Sequence, residues 1–392
     1  MAYRVAGFRA AGVSCGIKPS GALDLALIVS DRPANAAAVF TRNRFPGAPV
    51  QVSRRYLRDG RARAVVVNSG ISNVATGEQG LRNAREMCRA TADALGLRAS
   101  DVQVASTGVI GSQLPIQRIA RAIPRAAREL SASGWSRAAR AILTTDIRPK
   151  LVQVTRRGFS LLGLAKGAGM IMPNMATMLA YIVTDLAVER AFLKTALREA
   201  VDPTLNRLTI DGETSTSDTV LLMANGAAGN RPLGPRSARA REFRRALAEL
   251  ASGLTEKLAL DGEGVTRIAR IDVRGAKSDR SADRVARKVG NSLLVKTALF
   301  GADPNWGRIV QAVGAAGVAF SPRQLGIRIG GAELLCRGTE VESAQARRRA
   351  ERAMRRKRVE IDISLGAGPG RASILTTDLG HGYIRINSEY TT

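Results

Sequence analysis

A chain of 392 residues, 45% hydrophobic but only 4% aromatic, can bury aliphatic cores in roughly two to four domain-sized units. It contains no run of 18 apolar residues, which excludes a membrane-spanning helix, and its first residues lack the sustained apolar stretch of a secretory signal. The formal charge of +27 admits a nucleic-acid or anionic-membrane partner, but the arginines are spread along the chain and not interleaved with aromatics; even the densest run, residues 347–358 (RRRAERAMRRKR), is broken by Glu351, so the charge reads as a solvated surface with no nucleic acid and no membrane attached.

Residues 25–29 (LALIV) and 64–68 (AVVVN) are apolar runs bounded by polar residues and glycine, and predict strands. Residues 80–95 predict a helix with Ala, Met and Leu on one face. A strand over 102–106 runs into Thr107-Gly108-Val109-Ile110-Gly111, read as a glycine-bounded loop. Residues 115–142 read as largely helical, 151–165 as strand, and 163–169 (GLAKGAG) as a glycine-rich loop. The alternation repeats in the second half. A strand is expected over 179–183, a helix over 186–201 with Pro203 beyond its end, a strand over 220–224, a loop over 226–235 and a basic amphipathic helix over 236–250. Further strands are expected near 266–273, 317–320, 325–329, 360–365 and 371–377. Strands mixed with helices throughout define an α/β (mixed α+β) chain. The loosest segments are expected at 230–237 and 278–283.

Elimination narrows the chemistry. His381 is the only histidine, with no GxSxG elbow before it, so a structural role in a turn suits it better than a serine-hydrolase triad. Cys15, Cys88 and Cys336 are odd in number and scattered, which speaks against a disulfide framework and a zinc site and for a reducing cytoplasm. The loop at 163–169 lacks GK[ST] and is no P-loop. A nucleophile here needs an activator other than histidine or metal, and an α-amine, with a reference pKa of about 7.7–8.0, is one such base. In the segment 166–179 (KGAGMIMPNMATML), glycines and a Pro173-Asn174 turn lead to Ala176-Thr177, a small residue before a hydroxyl residue. Basic residues are overwhelmingly Arg, so Lys150, Lys166 and Lys296, all inside motif-like segments, stand out.

The segment 166–179 resembles the cleavage and nucleophile motif of the ornithine acetyltransferases, also called bifunctional arginine-biosynthesis proteins. Other segments resemble that family in the same order: 7–31 (GFRAAGVSCGIKPSGALDLALIVSD), 76–80 (TGEQG), 106–111 (STGVIG), 144–150 (TTDIRPK), 208–226 (LTIDGETSTSDTVLLMANG), 261–264 (DGEG), 295–309 (VKTALFGADPNWGRI) and 381–392 (HGYIRINSEYTT). The likeness runs essentially end to end. It implies a layered N-terminal-nucleophile-like architecture with a smaller C-terminal α/β domain at about 280–392. It implies self-cleavage between Ala176 and Thr177 into an α part, 1–176, and a β part, 177–392, assembled as α2β2. Thr177 is then the nucleophile, and Thr107 with Gly108 the oxyanion-stabilising pair. Thr144, Lys166, Thr177, Glu263, Asn387 and Thr392 match substrate-holding positions, with Thr145 the neighbouring alternative to Thr144. One departure is Ile71, which stands where the family carries an amide side chain.

The implied reaction is ping-pong transfer of acetyl from N-acetylornithine to glutamate. No metal or organic cofactor takes part, and acetyl-CoA is a further donor in some members. The rivals are a related N-terminal-nucleophile aminopeptidase or amidase, with water as acceptor, and a basic nucleic-acid-binding protein without catalysis. A cytoplasmic location is expected.

Overall fold

The computed structural model describes residues 3–172 and 178–389. Ala176, Thr177 and Thr392, three of the expected site residues, lie outside the described residues. The chain divides into two compact units, Met1–Asn206 with Thr214–Leu258, and Arg207–Glu213 with Ala259–Thr391. Among the described residues no helix is long and apolar enough to cross a membrane.

The first unit runs β1 (Phe8–Val13), β2 (Leu25–Phe40), α1 (Ala48–Tyr56), β3 (Arg61–Ile71), α2 (Gly77–Leu95), β4 (Val102–Val109), α3 (Ile116–Arg128) and α4 (Trp135–Ala141). It continues through β5 (Lys150–Arg156), β6 (Phe159–Lys166), β7 (Leu179–Thr184) and α5 (Arg190–Val201). The short β8 (Leu208–Thr209) belongs to the second unit, after which β9 (Thr219–Ala224) and α6 (Ala240–Leu260) follow. The strands form one mixed sheet in the order β4-β3-β2-β9-β7-β6-β5, with β1 also on β2.

Successive residues of a strand point to opposite faces, so the unbroken apolar runs in β2 and β3 mean that both faces are buried. Ala26 and Ile28 join Val65 and Val67, Trp135 of α4, Leu162 and Leu164 of β6, and Tyr181 and Val183 of β7 in one core. Leu25, Leu27 and Val29 join Val66 and Val104 with Met87 of α2 and Ile119 and Ile123 of α3 in another. The long strand β2 passes between two strand layers. Its first half pairs with β3, its register breaks between Val29 and Ala34, and Asn35–Phe40 pairs with β9. Gly163 faces the other way from Leu162, and a Cβ there would lie 2.7 Å from Leu250 of α6. Helices therefore cover the outer faces of two strand layers, the layered α/β architecture expected from the sequence.

The second unit adds β10 (Ile268–Gly275), α7 (Asp279–Gly290), α8 (Leu293–Phe300), α9 (Trp306–Gly314), β11 (Gly326–Ile329), β12 (Ala332–Cys336) and β13 (Thr339–Glu340). It ends with α10 (Ala344–Met354), β14 (Arg358–Ser364), β15 (Gly368–Thr377) and α11 (His381–Glu389). Its mixed sheet has the order β13-β12-β11-β14-β10-β15-β8. Ile271, Val273, Ile361 and Ile363 pack against Val285 and Val289 of α7 and Ile309 and Val313 of α9.

Several expectations are corrected. Residues 317–320 form no strand; Val318 and Phe320 rest partly buried against the core on the way to β11. The segment 278–283 is not loose, because the Ser278 hydroxyl accepts the Ser281 N–H and caps α7. The strand region 151–165 is a hairpin, turned at Arg157-Gly158, where Gly158 has φ of +81°. The segments read as loops at 107–111 and 163–169 begin as strand: Thr107–Val109 end β4, and Gly163–Lys166 end β6.

Candidate active site

The site residues of the first unit sit at strand ends. Parallel pairing of β3 with β4 sets Ser69 beside Thr107 and Gly70 beside Gly108. A side chain at Gly108 is impossible: its φ is +127°, and a Cβ would lie 2.2 Å from the Gly70 carbonyl carbon. On the far side of the sheet, β6 pairs with β7 so that Lys166 faces Leu179, two residues beyond Thr177. Strand β7 pairs in turn with β9 at Thr219.

Lys166 is only 8% exposed. Its Nζ donates to Thr144 Oγ1 at 2.7 Å and to Thr107 Oγ1 at 3.2 Å. It also lies 3.7 Å from Asp146 Oδ2. The fold thus gathers Thr107, Thr144 and Lys166, three of the expected residues, from β4, the segment 143–149 and β6. Of the adjacent threonines, Thr144 is the one bonded to Lys166. Lys166 is no solvated loop residue.

Asp146 was given no role from the sequence, although it stands inside 144–150 (TTDIRPK). Its carboxylate has no exposed surface and accepts Lys150 Nζ at 2.5 Å, the Gly167 N–H at 2.6 Å and the Thr144 N–H at 3.1 Å. Burial by itself would raise this carboxyl, but Lys166, Lys150 and the hydrogen bonds outweigh it and hold it well below the ordinary carboxylate range. The available signal was a carboxylate four residues before one of the few lysines. Asp218, just before β9, is a second buried carboxylate that was missed. Burial pushes it well above the ordinary range, against the pull of a Ser215 hydrogen bond and Lys166. Its Oδ2 has no partner among the described residues.

The second unit gathers two other expected residues. Asn387 Nδ2, on α11, donates to Glu263 Oε2 at 2.8 Å and to the Tyr383 carbonyl at 3.0 Å. Gly264 has φ of +67°, and a Cβ there would fall 2.3 Å from the Tyr383 nitrogen, so only glycine lets the Glu263 loop meet α11 this closely. Lys296 is 1% exposed and donates to the Thr377 carbonyl at 2.8 Å and its hydroxyl at 3.3 Å. Burial lowers its pKa to about 7, against the opposing pull of Asp211 and Asp378. His381 begins α11 and meets Phe300 edge-on, ring centroids 5.7 Å apart.

A layered α/β chain with a buried lysine–threonine–carboxylate cluster at its strand ends is the class of protein that fold and geometry define. The ArgJ family model matches residues 9–392. The arginine biosynthesis bifunctional protein ArgJ of Geobacter sulfurreducens is 44% identical, covering 99% of this chain and 100% of that protein. A crystal structure of the arginine biosynthesis bifunctional protein argJ from Bacillus halodurans is 36% identical with a TM-score of 0.52, covering 55% of this chain and all of that one. An ornithine acetyltransferase complexed with ornithine from Mycobacterium tuberculosis is 44% identical with a TM-score of 0.43, over 44% of this chain and 94% of that one. The chain belongs to the ArgJ family.

Proposed function

We propose that this chain is a self-cleaving glutamate N-acetyltransferase of arginine biosynthesis that passes acetyl from N-acetylornithine to glutamate through Thr177. The observation that carries the proposal is the buried Lys166, hydrogen-bonded to both Thr107 and Thr144, in a member of the ArgJ family. Cleavage between Ala176 and Thr177 frees the Thr177 amine as a base. Thr177 Oγ attacks the acetyl carbon, and its proton passes to that amine. The tetrahedral oxyanion is met by the Thr107 hydroxyl and the Gly108 N–H. The C–N bond breaks, the departing ornithine nitrogen takes the proton, and acetyl remains as an ester on Thr177. The glutamate amine then attacks this ester and restores the hydroxyl. Each donor in such a hole is typically worth about 10²–10³ in rate. Thr144, Lys166, Glu263, Asn387 and Thr392 are assigned to substrate binding by their match to the family's positions.

The acetyl group is carried as an ester, so the cycle calls for no metal or organic cofactor, and acetyl-CoA is an alternative donor to assay. One feature supports the two-part form. The Bacillus halodurans chain is matched whole by 55% of this chain, the share that residues 177–392 make up. The two parts pair as α2β2, and the enzyme works in the cytoplasm.

The test is a denaturing gel with intact mass. Wild-type protein should give two parts, the second beginning at Thr177. Thr177→Ala should remain one chain without acetyl transfer, and Thr177→Ser should retain some cleavage. Normal two-part processing of Thr177→Ala would remove Thr177 from the mechanism. Hydrolysis of N-acetylornithine without transfer to glutamate would favour an amidase instead.

A further inference from the structure

Lys166 carries three N–H donors and no acceptor. Two of them enter the Thr144 and Thr107 oxygens. A hydroxyl that accepts from an ammonium must aim its own hydrogen elsewhere, and neither threonine hydroxyl donates to a group among the described residues. In the ammonium form, Lys166 therefore leaves the Thr107 hydrogen available for another acceptor. As a neutral amine it would offer a lone pair, and the Thr107 hydrogen could turn onto it. The direction of that hydroxyl depends on the charge of a lysine that is almost fully buried, and burial disfavours that charge.

What opposes burial is Asp146. Its Oδ2 lies 3.7 Å from Lys166 Nζ and accepts the Thr144 N–H, while its Oδ1 accepts Lys150 and the Gly167 N–H. One carboxylate thus ties the residues on both sides of the Lys166–Thr144 hydrogen bond. Lys150 keeps Asp146 paired even when Lys166 turns to another acceptor. Among the described residues, the charged groups coupled to Lys166 include Asp146 and, through it, Lys150 of β5; Lys18, from the segment between β1 and β2; and Asp218, before β9.

We propose that Asp146 is a positioning residue for acetyl transfer: it keeps Lys166 an ammonium at the end of β6, so that Lys166 orients the Thr107 hydroxyl as a donor to the acetyl oxyanion. The proposal rests on the reading of Thr107 as an oxyanion donor. It assigns a role to a residue that the resemblance left without one. It also assigns Lys166 a function beyond holding the substrate.

The experiment compares wild type with Asp146→Asn and with Asp146→Asn/Lys150→Met, which removes both charges of the inner pair, so that Lys150 is not left beside a lost partner and Lys166 alone feels the loss. Intact mass establishes cleavage before Thr177, and kcat and KM for N-acetylornithine are measured from pH 6 to 10. Both processed variants should lose about 10²-fold in kcat, the cost of one oxyanion donor, with KM moving much less. The alkaline fall in kcat should begin about one to three pH units lower than in wild type, the usual influence of a close opposite charge. A merely structural role would lower activity without moving that limb. The proposal is overturned if the processed double variant keeps the wild-type kcat and alkaline limb, or if the loss lies wholly in KM. It is overturned too if neither variant is cleaved, since Asp146 would then serve maturation and not transfer. Wild-type protein inactive on N-acetylornithine would instead remove the acetyltransferase reading itself.

Discussion

Lys166→Met removes the ammonium from the first-unit cluster while keeping most of the side-chain volume at the end of β6. Two hydrogen bonds from a charged donor vanish, at 2.7 Å to Thr144 and 3.2 Å to Thr107. Hydrogen bonds to charged groups are worth about 1.5–3 kcal/mol each. Orphaning a buried charge costs about 3–5 kcal/mol more. That penalty is avoided here, because Asp146 retains Lys150 at 2.5 Å and two backbone N–H donors. The fold should therefore survive. The transition state should lose about 3 kcal/mol, on the order of 10²-fold in kcat/KM. Lys166→Arg should recover only part of it, since a planar fork cannot reproduce a compact ammonium between two hydroxyls and a carboxylate. The assay is transfer of acetyl from N-acetylornithine to glutamate, scored on protein shown by mass to be fully cleaved. Cleavage rate is scored separately. A kcat/KM within about threefold of wild type would refute the reasoning, for then neither hydrogen bond contributes to the reaction.

Thr107→Ala should lower kcat by about 10²-fold with a smaller change in KM; unchanged turnover would place the oxyanion donors elsewhere. Lys296 predicts a pH dependence of stability. Its folded pKa of about 7 lies below the ordinary lysine value, so between the two the unfolded chain binds more protons and stability rises with pH. The Tm of wild type relative to Lys296→Met should accordingly increase from pH 7 to pH 9, and a constant difference would show that Lys296 does not titrate in that window. Duplex DNA at physiological salt should leave acetyl transfer unchanged, despite the charge of +27. Tight DNA binding that persists above about 0.2 M salt would revive a nucleic-acid role.

Much of the fold was legible because burial on both faces leaves a mark that needs no tertiary information. The runs at 25–29 and 64–68 are continuous and aliphatic, and they lie between two cores. The helix at 80–95 was visible through its one-sided apolar face, which packs as Met87, Cys88 and Ala92. Local polar chemistry was harder to read. The cap that starts α7 at Ser278 looks in sequence like a solvated polar run, and Gly317–Phe320 has the composition of a strand but no partner strand.

At the site, the sequence by itself determined which residue types were available. It offered a single histidine, three scattered cysteines, and lysines that survive in an arginine-rich chain. Lys150, Lys166 and Lys296 were singled out for that reason, and all three proved buried. Only the tertiary structure decided what each is paired with. Thr107 and Lys166 are 59 residues apart, on strands separated by four others in the sheet, and no spacing rule connects them. Asp146 and Lys150 stand at an interval that on a helix would be a surface ion pair; here they lie in a segment leading into β5, with no exposed carboxylate surface. Charge in sequence is compatible with water or with a partner, and the choice is made by which backbone closes over it.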